Sequence, residues 1–204
     1  MSNDQPLAII ISASSDIGAA MGQRWLDRGW RIVGTYRTRT SAVDELERRG
    51  AVLAPCDLSD DESVDQACEA LRTMCPAWDV LVLCPGTQEP VGAFRETEFD
   101  PWEASIKVNF TSQLRIVHEL LGSARGHDER EPLVLFFAGG GTNGATINYS
   151  AYTVSKIALI KMCELLDAEI PNVRFAIIGP GWVKTKIHEA TQCAGARAGA
   201  NYQR

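Results

Sequence analysis

The run Leu7-Ala-Ile-Ile-Ile11 leads directly into Ser12-Ala-Ser-Ser-Asp-Ile-Gly18, a stretch of mainly small and polar residues. Consecutive apolar residues are typical of a strand that is buried on both faces of a parallel sheet. The next segment, Gly18 to Arg28, predicts a helix that closes at Gly29, a residue suited to a left-handed C-terminal turn. Since a strand, a polar loop and a helix begin a βαβ unit, this stretch predicts an α/β fold.

The same alternation continues along the chain. Further strands are predicted at Trp30 to Tyr36, Ala51 to Cys56, Val80 to Leu83, Leu133 to Phe137 and Val173 to Ile178. Helices are predicted at Thr40 to Arg49, Ser59 to Met74 (with Ser59 and Glu62 as a capping box), Pro101 to Ser123 and Ser150 to Glu169. Right-handed crossovers then give a Rossmann-type, doubly wound parallel sheet with strand order 3-2-1-4-5-6, in a single domain over residues 1–204.

The carboxyl ends of the strands in such a sheet form the ligand-binding edge, at the point where the strand order reverses. The loops that follow the strands therefore converge on one site. Those same loops carry the candidate site residues that are described below, so the topology favours a functional interpretation of these residues.

The bulk composition argues against several classes of function. A net charge of −6 disfavours nucleic acid or an anionic membrane as the main partner. The six cysteines form no CxxC pair and the three histidines no HExxH pattern, so no metal site is expected. Free thiols fit a reducing compartment, and no apolar run approaches the length of a membrane helix. We therefore predict a cytoplasmic protein.

The second informative stretch is Tyr152-Thr-Val-Ser-Lys156, inside the predicted helix from Ser150. Positions four apart lie on one face of a helix, so the phenol and the ammonium point the same way. A nearby cation stabilises a phenolate and lowers its pKa from about 10, which makes Tyr152 a usable proton donor or acceptor. The alternative is that the two residues are only surface neighbours.

Together with this pair, the loop from Ile11 to Gly18 resembles that of the short-chain dehydrogenase/reductase family, whose fingerprint is Thr-Gly-x-x-x-Gly-x-Gly. Only Gly18 is retained, because Ile11 replaces the threonine, and Ser12 and Asp16 replace the first two glycines. Asp16 could cap the helix, although its carboxylate would stand near the pyrophosphate that a helix N-terminus suits. The resemblance implies that the cofactor phosphates are bound by Ser12, Ser14, Ser15, Asp16, Ile17 and Gly18.

Further segments match the family in the same order. The resemblance implies that Asp57 binds the adenine, and that Leu58 and, after the fourth strand, Gly86 also contact the cofactor. It implies that Asn109 supports a proton relay through water to Lys156, which holds the nicotinamide ribose, and that Tyr152 is the catalytic acid/base. The segment expected to wrap the nicotinamide side contains Pro180, Gly181, Val183 and Thr185.

The choice of cofactor depends on the end of the second strand. An acidic residue there binds the ribose 2′-hydroxyl of NAD, whereas an arginine accommodates the 2′-phosphate of NADP. The chain has Arg37 and Arg39 and no carboxylate before Asp44. We predict NADP(H), with NAD(H) as the alternative, and Arg37 as the phosphate ligand with Arg39 as its partner. Two solvated arginines are the other interpretation.

The chain departs from the family in two places. Gly139 stands where the family has the serine that hydrogen-bonds the substrate carbonyl, so Thr142 or backbone N–H groups of the glycine loop are the candidate replacements. The sequence also stops at Arg204, where family members continue through a substrate lid and a seventh strand. We therefore expect six strands, with the seventh missing, and an open pocket.

The resemblance implies an NADP(H)-dependent oxidoreductase, in which hydride moves between nicotinamide and a small-molecule carbonyl or alcohol while Tyr152 transfers the proton. A homodimer through the long helices is expected. Polar residues near the pocket suggest a polar substrate: Thr142, Asn143, Asn148 and Tyr149. The alternative is a sensor or structural protein that binds a dinucleotide with little catalysis. Gly139 favours that alternative, whereas Tyr152, Lys156 and Asn109 favour the enzyme.

Overall fold

The computed structural model describes residues 5–126, 130–139, 142–180 and 185–195. Within them one parallel sheet of six strands has the order β3-β2-β1-β4-β5-β6, so the predicted fold class and strand order are confirmed. The strands are β1 (Leu7–Ile11), β2 (Arg31–Tyr36), β3 (Val52–Pro55), β4 (Val80–Leu83), β5 (Leu133–Phe137) and β6 (Arg174–Ile178).

Helices connect the strands and cover both faces of the sheet. They are α1 (Asp16–Leu26), α2 (Ser41–Arg48), α3 (Asp61–Met74), α4 (Phe99–Ile106), α5 (Ser112–Leu120), α6 (Ser150–Glu169) and α7 (Glu189–Ala194). A π-helical turn, Lys107–Thr111, joins α4 to α5, and a 3-10 turn follows α5. The predicted long helix from Pro101 is therefore one helix with a change of winding.

β1 lies at the centre of the sheet, and all five of its residues are buried. Successive side chains of a strand point to opposite faces. Ile9 and Ile11 accordingly join the larger core, which also holds residues of α3, α5 and α6, whereas Ala8 and Ile10 join the smaller core beside α2. Burial on both faces explains why this strand is an unbroken apolar run.

Local caps set the ends of the helices. The Thr40 hydroxyl accepts from the Val43 N–H at 3.4 Å, as expected for the cap of α2. The predicted capping box of Ser59 and Glu62 is wrong. Asp60 caps α3 instead, because its carboxylate accepts from the Glu62 N–H at 3.1 Å while Ser59 is bonded to Asp57.

The described residues contain neither a membrane-spanning helix nor a metal-binding cluster. No helix among them is long and apolar enough to cross a membrane. Within the same ranges, no group of three or more His, Cys, Asp or Glu side chains is arranged to hold a metal ion.

Candidate active site

A cavity of about 800 Å³ opens at the carboxyl edge of the sheet, and the loops after all six strands contribute to its wall. Most of the predicted site residues lie in that wall: Ser12, Ser14, Ser15, Asp16, Ile17, Arg37, Asp57, Leu58, Gly86, Tyr152, Lys156, Pro180 and Thr185. Gly18, Asn109 and Thr142 are not among the wall residues. Gly181 and Val183 lie outside the described residues.

The loop after β1 is built tightly against the start of α1. Ser12, at the first of the family's glycine positions, has a φ of 64°, the left-handed region that favours glycine. Gly18 has no room for a side chain, because a β-carbon there would stand 2.5 Å from the carbonyl oxygen of Ser12. This close approach aims the N-terminus of α1 at the cavity, which suits a dinucleotide pyrophosphate.

Asp16 does not cap α1, contrary to the prediction. Ser15 is the cap, and its hydroxyl accepts from the Gly18 N–H at 3.0 Å. The Asp16 carboxylate instead accepts from the backbone N–H of Lys186 at 2.7 Å, and its other oxygen lies 3.8 Å from the Lys186 ammonium. Sequence reasoning missed Lys186, since no motif links residues so far apart in the chain.

The two arginines after β2 have different surroundings. Arg37 lies in the cavity wall, near Asp57. Two hydrogen bonds from Ser59, helped by the charge of Arg37, hold the pKa of Asp57 below its usual range. Arg39 turns away from the cavity to pair with Asp44 at 2.8 Å and Glu47 at 2.5 Å. Both partners of Arg39 lie on α2, so the structure does not bring Arg39 beside Arg37 in the cavity wall, and its assistance at the 2′-phosphate stays a prediction.

Tyr152 and Lys156 lie together on the buried face of α6, with exposed fractions of 6% and 3%. The Lys156 ammonium donates to the Phe137 carbonyl at 3.0 Å and lies 6.0 Å from the centroid of the Tyr152 ring. Burial lowers the pKa of Lys156 to about 8, an effect that Cys84 partly offsets. The pair is therefore part of the cavity, and the surface-neighbour alternative does not hold.

Asn109 lies in the π-helical turn and is completely buried. Its side-chain oxygen accepts from the Thr87 N–H at 2.9 Å, and its amide donates to the Thr87 carbonyl at 2.8 Å. These bonds fix the loop after β4, where a β-carbon at Gly86 would stand 3.7 Å from the Asn109 oxygen and 3.9 Å from the Lys156 ammonium. Asn109 thus sets the position of the loop that faces Lys156.

Gln113 supports the same turn from beneath, and sequence reasoning missed it. Its buried amide nitrogen donates to the carbonyls of Asn109 at 3.0 Å, Val108 at 3.1 Å and Pro85 at 3.3 Å. Buried carbonyl groups need such donors. One side chain therefore joins the π-helical turn to the loop after β4.

The phenol of Tyr152 fills the space beside Gly139. A β-carbon at Gly139 would stand 2.6 Å from Cζ and 2.7 Å from Cε1 of Tyr152. Thr142 is half-buried and outside the cavity wall, so the described wall contains Gly139 but not the proposed replacement hydroxyl.

The polar residues expected near the substrate lie elsewhere as well. Tyr149 is fully buried, and its hydroxyl donates to Thr191, which in turn donates to Gln88 at 2.7 Å. Neither Asn143 nor Asn148 is in the cavity wall. The polar groups that do line the end of the cavity near α7 are Gln88, Glu89, His188 and Glu189.

The N-terminus of α1 faces the cavity at the point where the strand order reverses, and the buried Tyr152 and Lys156 line the same cavity. This arrangement is typical of dinucleotide-dependent α/β oxidoreductases. The family model of the short chain dehydrogenases matches residues 6–194. The chain belongs to this family and is an NAD(P)-dependent oxidoreductase that acts on small molecules.

Individual relatives are distant. Dihydromonapterin reductase of Citrobacter koseri is 25% identical over 195 residues, which cover 90% of this chain and 77% of the relative. A short-chain dehydrogenase structure from Streptomyces avermitilis is 26% identical with a TM-score of 0.77, covering 90% of this chain and 68% of that one. An actinorhodin polyketide ketoreductase structure with NADPH is 20% identical with a TM-score of 0.80, covering 98% and 78%.

Proposed function

We propose that the protein transfers hydride between NADP(H) and a small-molecule carbonyl or alcohol, with Tyr152 as the acid/base. The observation that carries this proposal is the position of Tyr152 and Lys156, both almost fully buried, in the wall of the cavity that also receives the N-terminus of α1 and Arg37. Phosphate-binding and proton-transfer groups thus share one enclosure.

The chain's own residues handle the proton, while the nicotinamide supplies or accepts the hydride. Tyr152 carries the proton at its hydroxyl. The ammonium of Lys156 attracts negative charge at the Tyr152 hydroxyl, and little solvent screens this attraction because both side chains are buried. Phe137 holds Lys156 through its carbonyl, and Asn109 holds the loop at Gly86 opposite the ammonium. This arrangement supports a proton relay that leaves through Lys156.

The preference for NADP(H) rests on Arg37. In the described part of the chain Arg37 makes no salt bridge, whereas Arg39 is held by two carboxylates. Arg37 lies in the wall at the end of β2, where a ribose 2′-phosphate is bound in this fold. The similar ketoreductase that was solved with NADPH adds support.

The carbonyl of the substrate needs a donor in place of the family serine. Thr142 lies outside the cavity wall, which favours the glycine loop of Gly139. We propose that backbone N–H groups of this loop polarise the carbonyl, as in an oxyanion hole.

A weakly catalytic dinucleotide-binding protein of the same family is the second candidate. The observation that favours it is the phenol of Tyr152 beside Gly139, since a hydroxyl donor at that position has no room. We also propose, from the sequence, that the protein is a cytoplasmic homodimer.

The test begins with calorimetric titration of the protein with NADPH and with NADH. We expect tighter binding of NADPH, followed by turnover with at least one member of a panel of ketones, aldehydes and alcohols. Equal affinity would contradict the role of Arg37. Binding without any turnover would favour the second candidate, and binding of neither dinucleotide would overturn the proposed function.

A further inference from the structure

Asp16 places a negative charge at the phosphate-binding end of the cavity. It is the first residue of α1 and lies in the cavity wall, at a position where the family has glycine. A carboxylate at about 5 Å from one phosphate charge weakens binding by about 4-fold in water, and more where solvent is excluded. The chain needs a compensating charge if a dinucleotide is to bind here.

Lys186 supplies that charge. Its ammonium lies 3.8 Å from the Asp16 carboxylate, and its backbone N–H donates to the same group at 2.7 Å. Lys186 also lies in the cavity wall, where the 3-10 turn Lys186–His188 leads into α7. The bond to the backbone fixes the position of this turn beside α1, so the lysine side chain starts at the phosphate-binding end.

We propose that Lys186 is a cofactor-binding residue whose ammonium neutralises Asp16 and contacts the pyrophosphate of the dinucleotide. This inference rests on the proposed function, because it requires a dinucleotide in the cavity. The N-terminus of α1 and the loop at Ser12 bind one side of the pyrophosphate, and Lys186 approaches from the segment after β6. Since both NADPH and NADH contain the pyrophosphate, Lys186 acts on both.

Because the side chains of Asp16 and Lys186 are exposed, the inference can be tested by mutation. The side chains of Asp16 and Lys186 are 36% and 63% exposed, and an ion pair this open contributes little to folding. Replacing either residue should therefore leave the stability of the protein unchanged. A change in the affinity for NADPH or NADH would then come from the cofactor site and not from unfolding.

The experiment is a double-mutant cycle read by calorimetric titration with NADPH and with NADH. The variants are Lys186→Ala, Asp16→Asn and the combination of both. Asparagine keeps an oxygen that can accept from the Lys186 N–H, so it removes the charge and retains the tether. Lys161→Ala is the matched control, because Lys161 pairs with Glu164 on the surface of α6 and is not part of the cavity wall.

We expect Lys186→Ala to raise the dissociation constants of both dinucleotides by about 5- to 20-fold, because an unneutralised carboxylate then faces the pyrophosphate. The double variant should recover most of this loss because the Asp16 charge is gone, and it should stay about 3-fold weaker than the wild type because the contact of Lys186 with the pyrophosphate is gone. Lys161→Ala should have no effect. The loss in Lys186→Ala should also shrink at high salt.

Other outcomes would overturn the inference. Unchanged affinity in Lys186→Ala or a loss confined to NADPH contradicts a contact with the pyrophosphate. A double variant as weak as Lys186→Ala contradicts the neutralisation of Asp16 by Lys186. If the wild type binds dinucleotide and one of these results appears, only the role of Lys186 fails. If the wild type binds neither dinucleotide, the proposed function fails with it.

Discussion

The phenol ring of Tyr152 lies against the backbone of Gly139, with Cζ and Cε1 only 2.6 and 2.7 Å from the point where a β-carbon would stand. Real β-carbons do not approach other heavy atoms this closely. Glycine at this position is therefore a requirement of the present position of Tyr152, and the family serine could not be added without moving the Tyr152 ring.

Gly139→Ser should lower activity, although it restores the residue usual in the family. The new side chain displaces the phenol, and a small misplacement of a catalytic group costs about 10- to 100-fold in rate. The measurement is kcat/KM with the best substrate found. Gly144→Ser is the control, since a β-carbon at Gly144 meets nothing within 4 Å. A gain of activity in Gly139→Ser would show that the phenol moves aside readily.

Tyr152→Phe should separate catalysis from binding. Loss of the hydroxyl removes the proton donor, and general acid–base catalysis contributes about 10²- to 10⁴-fold. The affinity for NADPH should stay within about 3-fold, because the ring still fills the space beside Gly139. Single-turnover rates and calorimetric titration measure the two effects. Unchanged turnover in the variant would exclude Tyr152 as the acid/base.

Arg37→Ala should weaken NADPH binding by about 10- to 100-fold and leave NADH binding unchanged, because charged hydrogen bonds to a phosphate contribute about 1.5–3 kcal/mol. Arg39→Ala is the matched control, since its guanidinium is held by Asp44 and Glu47. Calorimetric titration of both variants with NADPH and with NADH measures the four dissociation constants. Equal losses for NADPH and NADH in Arg37→Ala would contradict a contact with the 2′-phosphate.

The stability of the wild type relative to Lys156→Met should rise with pH between about 8 and 10.5. Burial lowers the pKa of Lys156 from 10.5 to about 8, so in this range the unfolded state binds more protons than the folded state. Below pH 8 the folded protein bears the full cost of a buried ammonium, and above 10.5 that cost is gone. Urea unfolding across the range measures the difference, and a constant difference would contradict the lowered pKa. Lys161→Met, on the surface, should show no such trend.

Gln113→Leu should reduce the free energy of unfolding by about 1–3 kcal/mol, because the carbonyls of Pro85, Val108 and Asn109 lose a shared donor. Gln66→Leu is the control, since the Gln66 amide is exposed and bonds only to Glu62 among the described residues. Urea unfolding compares the two variants. A loss no larger than that of the control would mean that the three carbonyls need no side-chain donor.

The strands were predictable because a strand that is buried on both faces appears in the sequence as a continuous apolar run. The bounds of β1, β4 and β5 agree with the prediction at both ends, β2 and β6 begin one residue later than predicted, and β3 is one residue shorter at each end. Continuous apolar runs allow few alternatives when a strand is covered on both faces. The helix ends at Gly29 and Gly50 were also predicted from the sequence, and both glycines have a positive φ.

Other features depend on contacts that a local pattern does not record. The caps at Ser15 and Asp60 each compete with a neighbouring polar residue, and the choice depends on what Asp16 and Ser59 bind elsewhere. Arg39 carries the same charge as Arg37, but its carboxylate partners on α2 turn it away from the cavity. The family resemblance identified Tyr152 and Lys156 but could not show that the phenol occupies the place of the missing serine.

The π-helical turn at Lys107–Thr111 also preserves the rotational phase of the long helix. In a regular α-helix one extra residue would rotate everything beyond it by about 100°, and the wider π-helical turn absorbs that residue. α5 therefore keeps Ile116 and Val117 buried, while Asn109 in the turn is fully buried and bonded to Thr87. Deleting Phe110 would restore a regular helix without rotating α5 and would displace only the backbone of the turn. The bonds between Asn109 and Thr87 thus depend on one residue of the turn, whereas the packing of α5 does not.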